Sequence, residues 1–488
     1  MANRIKTRRR AAVIFAGIFL LALPAAVYAQ PTNFTYSYDF WGEQIASPDA
    51  YFVSAFILGS ELGVGDFSDP QGLFVKENRI YVADSGNNRI VVLEAREGGE
   101  HVALNVVYYV MIDGQQSRFS YPMDIFESRA GFIYIADTNN RRVLRLDSNW
   151  NYVSSITRPD DESFEAHWEF RPGKLVVDFS NRIFVQAVGV NRGLMEFDNR
   201  GNFVGYMGAN RVQVSIVDRI WRVLSTQEQI ARQLLFVPTE YNNVTLDRSG
   251  FIFVTSAIGD VEPVRRLNAM GQDILIRNGH TDPIGDLVWG SAGGRIGPSR
   301  FIDVAAFPND SFACFDATRG RIFVYDFQGN LLYAFGGWGN RQGHFEFPVA
   351  LASMGFTLFA LDARHAAITR FDLTLYGQLI NDALGEFRAG RYEASAEIWR
   401  DVLRMNGNFE LAYVGIARAA LRQGEYRTAM RYFRLMNHRE GFSRAFQRYR
   451  MQWVESNLQW MLLALAVAVL VPKAVKAGIK TVREIKAA

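Results

Sequence analysis

The chain has 488 residues, with 53 Lys and Arg against 50 Asp and Glu. The resulting formal charge of +3 creates no strong field for a polyanion and argues against nucleic-acid binding. One cysteine, Cys314, excludes a disulfide within the chain and reads as packing. No nucleophile elbow, Walker loop, H-E-x-x-H or C-x-x-C pattern occurs, and the histidines are scattered rather than clustered.

Lys6, Arg8, Arg9 and Arg10 precede an apolar run at 11–26, and Val27-Tyr28-Ala29 stands before Gln30. Basic, then apolar, then small is the order of a secretory signal peptide over 1–29, with an uncleaved anchor as the alternative. Either one carries the rest of the chain out of the cytoplasm.

From 67 to 94 short Val-, Ile- and Tyr-rich runs alternate with turns: 72–75, 80–83, the turn Asp84-Ser85-Gly86-Asn87-Asn88, then 90–93. Runs this short between turn residues predict antiparallel strands. One such unit cannot cover both faces of its own sheet, so copies are expected. They follow, opening at Phe119-Ser-Tyr-Pro122, Phe170-Arg-Pro172, Phe236-Val-Pro238, Phe301-Ile-Asp303 and Phe345-Glu-Phe-Pro348. Pro70, Pro122, Pro172, Pro238 and Pro348 take equivalent places, with Ile302 standing for proline in the fifth unit. Intervals of 52 (122 − 70) and 50 (172 − 122) residues suit four strands and a loop. The fold class is therefore mainly β, a six-bladed β-propeller over 46–375. Residues 51–59 are similar to 331–336, so the N-terminal segment is expected to supply the outer strand of the last blade and leave no open edge.

The pattern F-x-x-P followed by I-Y-V/I-A-D-x-x-N, seen at 67–87 and 119–140, resembles the NHL-repeat family. In units three and four the turn aspartate becomes Ala187 and Ser256. The resemblance implies the propeller, and no single activity. Between units three and four, 212–235 shows helical spacing, and Ser225 with Glu228 has capping-box spacing.

The turn after the second strand of each blade is expected to face the channel opening. It would place Asp84, Asn87, Asp137, Asn140, Asp316, Arg319, Asp362 and His365 there, with Asn191, Arg192, Asp260 and Glu262 from the irregular blades. Carboxylates, amides and guanidiniums in a ring would suit a polar ligand such as a sugar. Equally, Asp and Asn bond the backbone of their own turns. Trp338, in a glycine-rich loop, is a candidate stacking surface.

Beyond 375 the period becomes 3.6. Gly390 and Gly424, Tyr392 and Tyr426, Trp399 and Phe433 are each 34 residues apart, which resembles a pair of tetratricopeptide repeats over 376–456. Tyr392, Trp399, Tyr426 and Phe433 are then candidate partner contacts. The apolar stretch 457–478, flanked by Trp453 and Trp460 and followed by a basic tail at 479–488, reads as one membrane span, with an interfacial helix as the alternative.

The reading of function is a membrane-anchored extracytoplasmic scaffold. Its propeller face would bind a ligand or protein, its helical repeats a protein partner of the cell envelope, with carbohydrate as a further ligand class and nucleic acid excluded. The layout is suggestive of accessory components of envelope or sugar-uptake complexes. No cofactor is expected. The rival is a metal-dependent lactonase- or lyase-type enzyme, which needs a divalent cation in the channel.

Overall fold

The structure, a computed structural model, describes residues 35–208, 240–256, 262–279, 281–287 and 295–487. The expected leader, the insertion at 212–235 and Asp260 lie outside the described residues.

The first unit forms β4 (Gly72–Lys76), β5 (Arg79–Asp84), β6 (Arg89–Ala95) and β7 (His101–Val107), each antiparallel to the next. All but the first residue of β5 are buried, because both sheet faces pack on neighbouring sheets; that is why its sequence is apolar throughout instead of alternating. β10 (Pro122–Glu127) to β13 (Tyr152–Ile156), β14 (Pro172–Val177) to β17 (Phe203–Met207) and β21 (Phe301–Ala306) to β24 (Leu331–Trp338) repeat the arrangement. β26 (Pro348–Met354), β27 (Thr357–Asp362) and β28 (Ala367–Leu373) are completed by β3 (Tyr51–Leu58). These are five complete four-stranded blades. The remaining place holds only three described strands, β18 (Tyr241–Leu246), β19 (Ile252–Ser256) and β20 (Val264–Leu267). After β20 the described chain returns to the sheet through the single bridge Leu267↔Asp273. The expectation of six four-stranded blades is corrected to that extent.

The innermost strands β4, β10, β14, β18, β21 and β26 contact one another in a closed ring. Closure is by β3 on β28, paired from Leu58↔Ala367 to Tyr51↔Leu373 with one register shift between Arg370 and Phe371, as the likeness of 51–59 to 331–336 suggests. A further hairpin, β1 (Tyr36–Tyr38) with β2 (Gln44–Ala46), extends the sheet beyond β24. Its fastening is Asp286, 1% exposed. That carboxylate accepts from the hydroxyls of Tyr36 and Tyr38 and pairs with Arg321 at 3.0 Å and Arg319 at 3.3 Å. Burial, with Asp286 alongside, pushes the Tyr38 hydroxyl up to about 12.

Five helices follow: α1 (Leu375–Arg388), α2 (Tyr392–Met405), α3 (Glu410–Gln423), α4 (Tyr426–Leu435) and α5 (Arg439–Ala487). Thr374 caps α1 by accepting from the Gly377 N–H, and Gly424 ends α3 in the left-handed conformation, φ 86°. Consecutive helices pack against each other. They do not stand apart from the propeller. Tyr376, Ile380, Trp399, Phe409 and Ile416 share one core with Tyr51, Phe335 and Phe371 of the blades.

The end of the expected repeat region, from Arg439 on, and the apolar stretch expected as a separate helix at 457–478 are one element, α5. Its first turns pack through Phe442 and Ala445 around Phe433, and it continues unbroken past Pro472. Residues 439–480 contain an 18-residue window of mean hydropathy 2.0 with nothing buried, long and apolar enough to cross a membrane.

Candidate functional site

The channel wall is made by a repeated irregularity. Register shifts occur between Pro122 and Asp124, Pro172 and Lys174, Tyr241 and Asn243, Phe301 and Asp303, and Pro348 and Ala350. Structural equivalence thus runs through Tyr241 and Phe301, where the sequence spacing places Pro238 and Ile302. Each bulge re-aims the residue that follows it. In the first blade the equivalent of Asp124, judged by its partner Ala83, is Gly72. Around the ring this level reads Gly72, Asp124, Lys174, Asn243, Asp303, Ala350.

These strands line a central cavity of about 460 Å³, whose walls include Phe74, Phe126, Val244, Thr245 and Leu351. Lys174 donates to the Gln71 carbonyl at 2.8 Å and lies 4.0 Å from Asp124 Oδ1. The other Asp124 oxygen accepts the Leu175 N–H at 2.9 Å. Asp303 Oδ1 accepts from Asn243 Nδ2, from Thr245 Oγ1 at 3.3 Å and from the Val304 N–H at 2.7 Å; Oδ2 accepts the Leu351 N–H at 2.7 Å. Burial pushes both carboxyls up to about 6, against the opposing pull of Lys174 and the backbone donors. Lys76 on the cavity wall bridges to Glu127 at 2.8 Å, and Glu77 and Arg248, also on the lining, are exposed.

The chemistry available is therefore a fixed cation, an ionisable acid with one oxygen turned towards that cation, and an amide, over an apolar wall. Such a set can donate to and accept from a neutral polar molecule. Among the described residues no group of three or more His, Cys, Asp or Glu is placed to hold a metal ion.

The turn residues singled out from sequence lie elsewhere and are engaged. Asp84, fully buried, accepts from the Ser68 N–H at 2.7 Å, from Asn87 at 2.9 Å and from Arg89 at 2.6 Å. Asp137 does the same with Ser120, Asn140 and Arg142, each at 2.8 Å. Asp316 takes the N–H groups of Arg300, Thr318 and Arg319; Asp362 takes those of Glu346, Phe347, Arg364 and His365. Each carboxylate clamps the loop that leads into its own blade, and none opens on the central cavity. Arg319 belongs to the Asp286 cluster, Arg192 pairs with Glu165, Glu262 pairs with Arg265, and Asn191 is half-buried.

Trp338 is 44% exposed, with Arg295 5.0 Å above its ring. Among the helical aromatics Trp399 and Phe433 are core residues at 3% and 1% exposure, which corrects their expected place on a partner-facing surface. Tyr392 and Tyr426 are half-buried.

Asp124, Lys174, Asn243 and Asp303 were missed by the motif reading. The signal was present: each stands where Gly72 stands in the first unit, a polar side chain opening an otherwise apolar strand.

The NHL repeat family matches residues 67–93. No curated protein matches the chain. Among solved structures, a streptogramin B lyase is similar at 12% identity and a TM-score of 0.41, over 67% of this chain and 98% of that one. A virginiamycin B lyase from Staphylococcus aureus is similar at 11% and 0.41, over 66% and 100%. The extracellular domain of a hybrid two component system from B. thetaiotaomicron is similar at 12% and 0.36, over 67% and 43%. At these scores the similarities are too remote to assign a ligand or an activity.

Proposed function

We propose that the chain is a membrane-anchored extracytoplasmic binding protein whose propeller channel seats a small neutral polar ligand, carbohydrate being the class that suits it. The observation that carries this is the ring of Asp124, Lys174, Asn243 and Asp303 around the 460 Å³ cavity. Paired donors and acceptors over apolar walls are what a polyol needs. On this reading the three-stranded sheet β18–β20 is the sixth blade. The helical region acts as a pair of tetratricopeptide-like repeats. Its docked face holds the propeller, and its open face is offered to a protein partner in the envelope.

The apolar half of α5 is the anchor. Within 20 residues before Leu458 there are four arginines, and after Val471 there are five basic residues. The charge asymmetry is slight, so the outside placement of the propeller rests on the N-terminal pattern.

The test is thermal unfolding of the detergent-solubilised full chain against a panel of neutral hexoses and pentoses. A saturable rise in Tm with at least one sugar, lost in Lys174→Met and Asp124→Asn variants whose circular dichroism is unchanged, is the expected result. A flat response across the panel would remove carbohydrate from the channel.

A further inference from the structure

The end of α3, α4 and the first half of α5 carry a one-sided charge pattern, of which, among the described residues, only Arg444 is ion-paired within these helices, to Glu440. Between residues 422 and 457 there are eight arginines, three glutamates and neither lysine nor aspartate. Beyond the apolar run the preference reverses, to four lysines and one arginine between 473 and 486. The planar guanidinium fork matches phosphate bidentately, where an ammonium offers a point charge.

Arg427, Arg448 and Arg450 are exposed, and among the described residues no carboxylate pairs with them. Arg427 is held against α5, its guanidinium 5.2 Å over the Tyr449 ring and donating to the Tyr449 hydroxyl at 2.8 Å. Between α4 and α5 a groove of about 400 Å³ is lined by Arg427, Tyr449, Trp453, Ser456 and Asn457, with the carboxylate Glu425 at its α4 end. It opens one residue before the apolar run begins at Leu458.

Height along α5 decides the occupant. At about 1.5 Å per residue, Arg450 stands about 12 Å, Tyr449, with Arg427 on it, about 13.5 Å, and Arg448 about 15 Å before Leu458. A headgroup layer is about 5–8 Å deep, and arginine stems stretch towards an interface. Trp453 and Trp460, 50% and 63% exposed, sit where aromatic belts lie.

We infer that Arg427, Arg448 and Arg450 form a collar that grips the phosphates of anionic phospholipids, with the α4–α5 groove receiving one headgroup. This rests on the anchored reading of α5.

The test is hydrogen exchange of the full chain in nanodiscs of phosphatidylcholine alone, and of phosphatidylcholine with phosphatidylglycerol. The expected result is exchange over 426–457 slowed at least about fivefold by the anionic lipid. The slowing should disappear in R427Q/R448Q/R450Q and in 0.5 M salt (about a 4–5 Å screening length). Protection of 458–471 should be the same in both discs. Equal exchange over 426–457 in the two discs overturns the collar while leaving the anchor intact. So does slowing by inorganic phosphate in the phosphatidylcholine disc, which would make the groove a site for free anions. Rapid exchange of 458–471 in both discs overturns the anchor, and the collar with it.

Discussion

Lys174 on β14 reaches past β10 to donate 2.8 Å to the carbonyl of Gln71, just before β4. One side chain thereby links three consecutive inner strands; it lies 4.0 Å from the buried Asp124 carboxylate, and its charge also favours the ionised form of Asp303.

Removing that cation leaves two buried acids held by neutral hydrogen-bond donors alone. Lys174→Met is expected to lower stability by about 3 kcal/mol, the usual effect of deleting one partner of a buried pair. Replacing both partners, as in K174M/D124L, should recover most of the loss, because a well-packed apolar pair has no desolvation cost to offset. Denaturant midpoints of the three proteins decide it. A double variant no better than the single would mean that the Gln71 contact, and not the charge, is what matters.

The channel acids also set a pH dependence. Burial raises Asp124 and Asp303 from 3.8 to about 6, so the folded state binds protons that the unfolded chain releases. Their contribution to stability is fully present below pH 3.8 and is lost as pH rises through about 6. Between pH 4 and 6 wild type should lose stability relative to D124N/D303N, by on the order of 2–3 kcal/mol for each acid. Tm measured across that interval for both proteins checks it, and parallel curves would contradict the raised values.

Gly415 in α3 tests whether packing outweighs propensity. Alanine in a helix interior is favoured over glycine by about 1 kcal/mol. A Cβ here would lie 2.4 Å from Trp399 Nε1, and Trp399 is wedged among Phe409 and the blade residues. Gly415→Ala should therefore destabilise, by about 1–3 kcal/mol as in other overpacked cores. A rise in Tm would show that the indole can move aside.

Ring closure has its own signature. Ile57 on β3, 5% exposed, packs with Leu73, Phe359 and Ile368, and Ile57→Ala should cost about 2–5 kcal/mol. Val153 on β13, 46% exposed on an outer strand, is the control, and V153A should stay within about 0.5 kcal/mol of wild type. Equal effects on thermal unfolding would mean that closure by β3 contributes nothing special.

The propeller was legible because its information is repetitive: the proline, the aspartate and the asparagine recur, and any one blade could be weak, as Ala187 and Ser256 are. The channel was not legible in the same way. Whether Asp124 or Asp303 faces a cavity depends on a bulge after Pro122 or Phe301, and a bulge is a displacement in register that has no residue code of its own. Asp84 and Asp137 drew attention because they recur, yet they recur, with Asp316 and Asp362, because each clamps the entry loop of its own blade. In the helices the 34-residue spacing of Trp399 and Phe433 announced two hairpins. Their direction was set by residues outside that spacing, Phe409 and Gly415 for Trp399, and Phe442 and Gly441 for Phe433.

β28 is the strand from which the helices depart, and it is flanked on both sides, by β27 and by β3. A tether attached to an edge strand can be stripped away one hydrogen bond at a time. A pull on α1 meets β28 inside its sheet, where it must break two ladders together, one of them made by the opposite end of the same domain. The mechanical attachment point of the propeller is thus its doubly zipped seam, and load from the helices meets the ring where its two ends, β3 and β28, are paired.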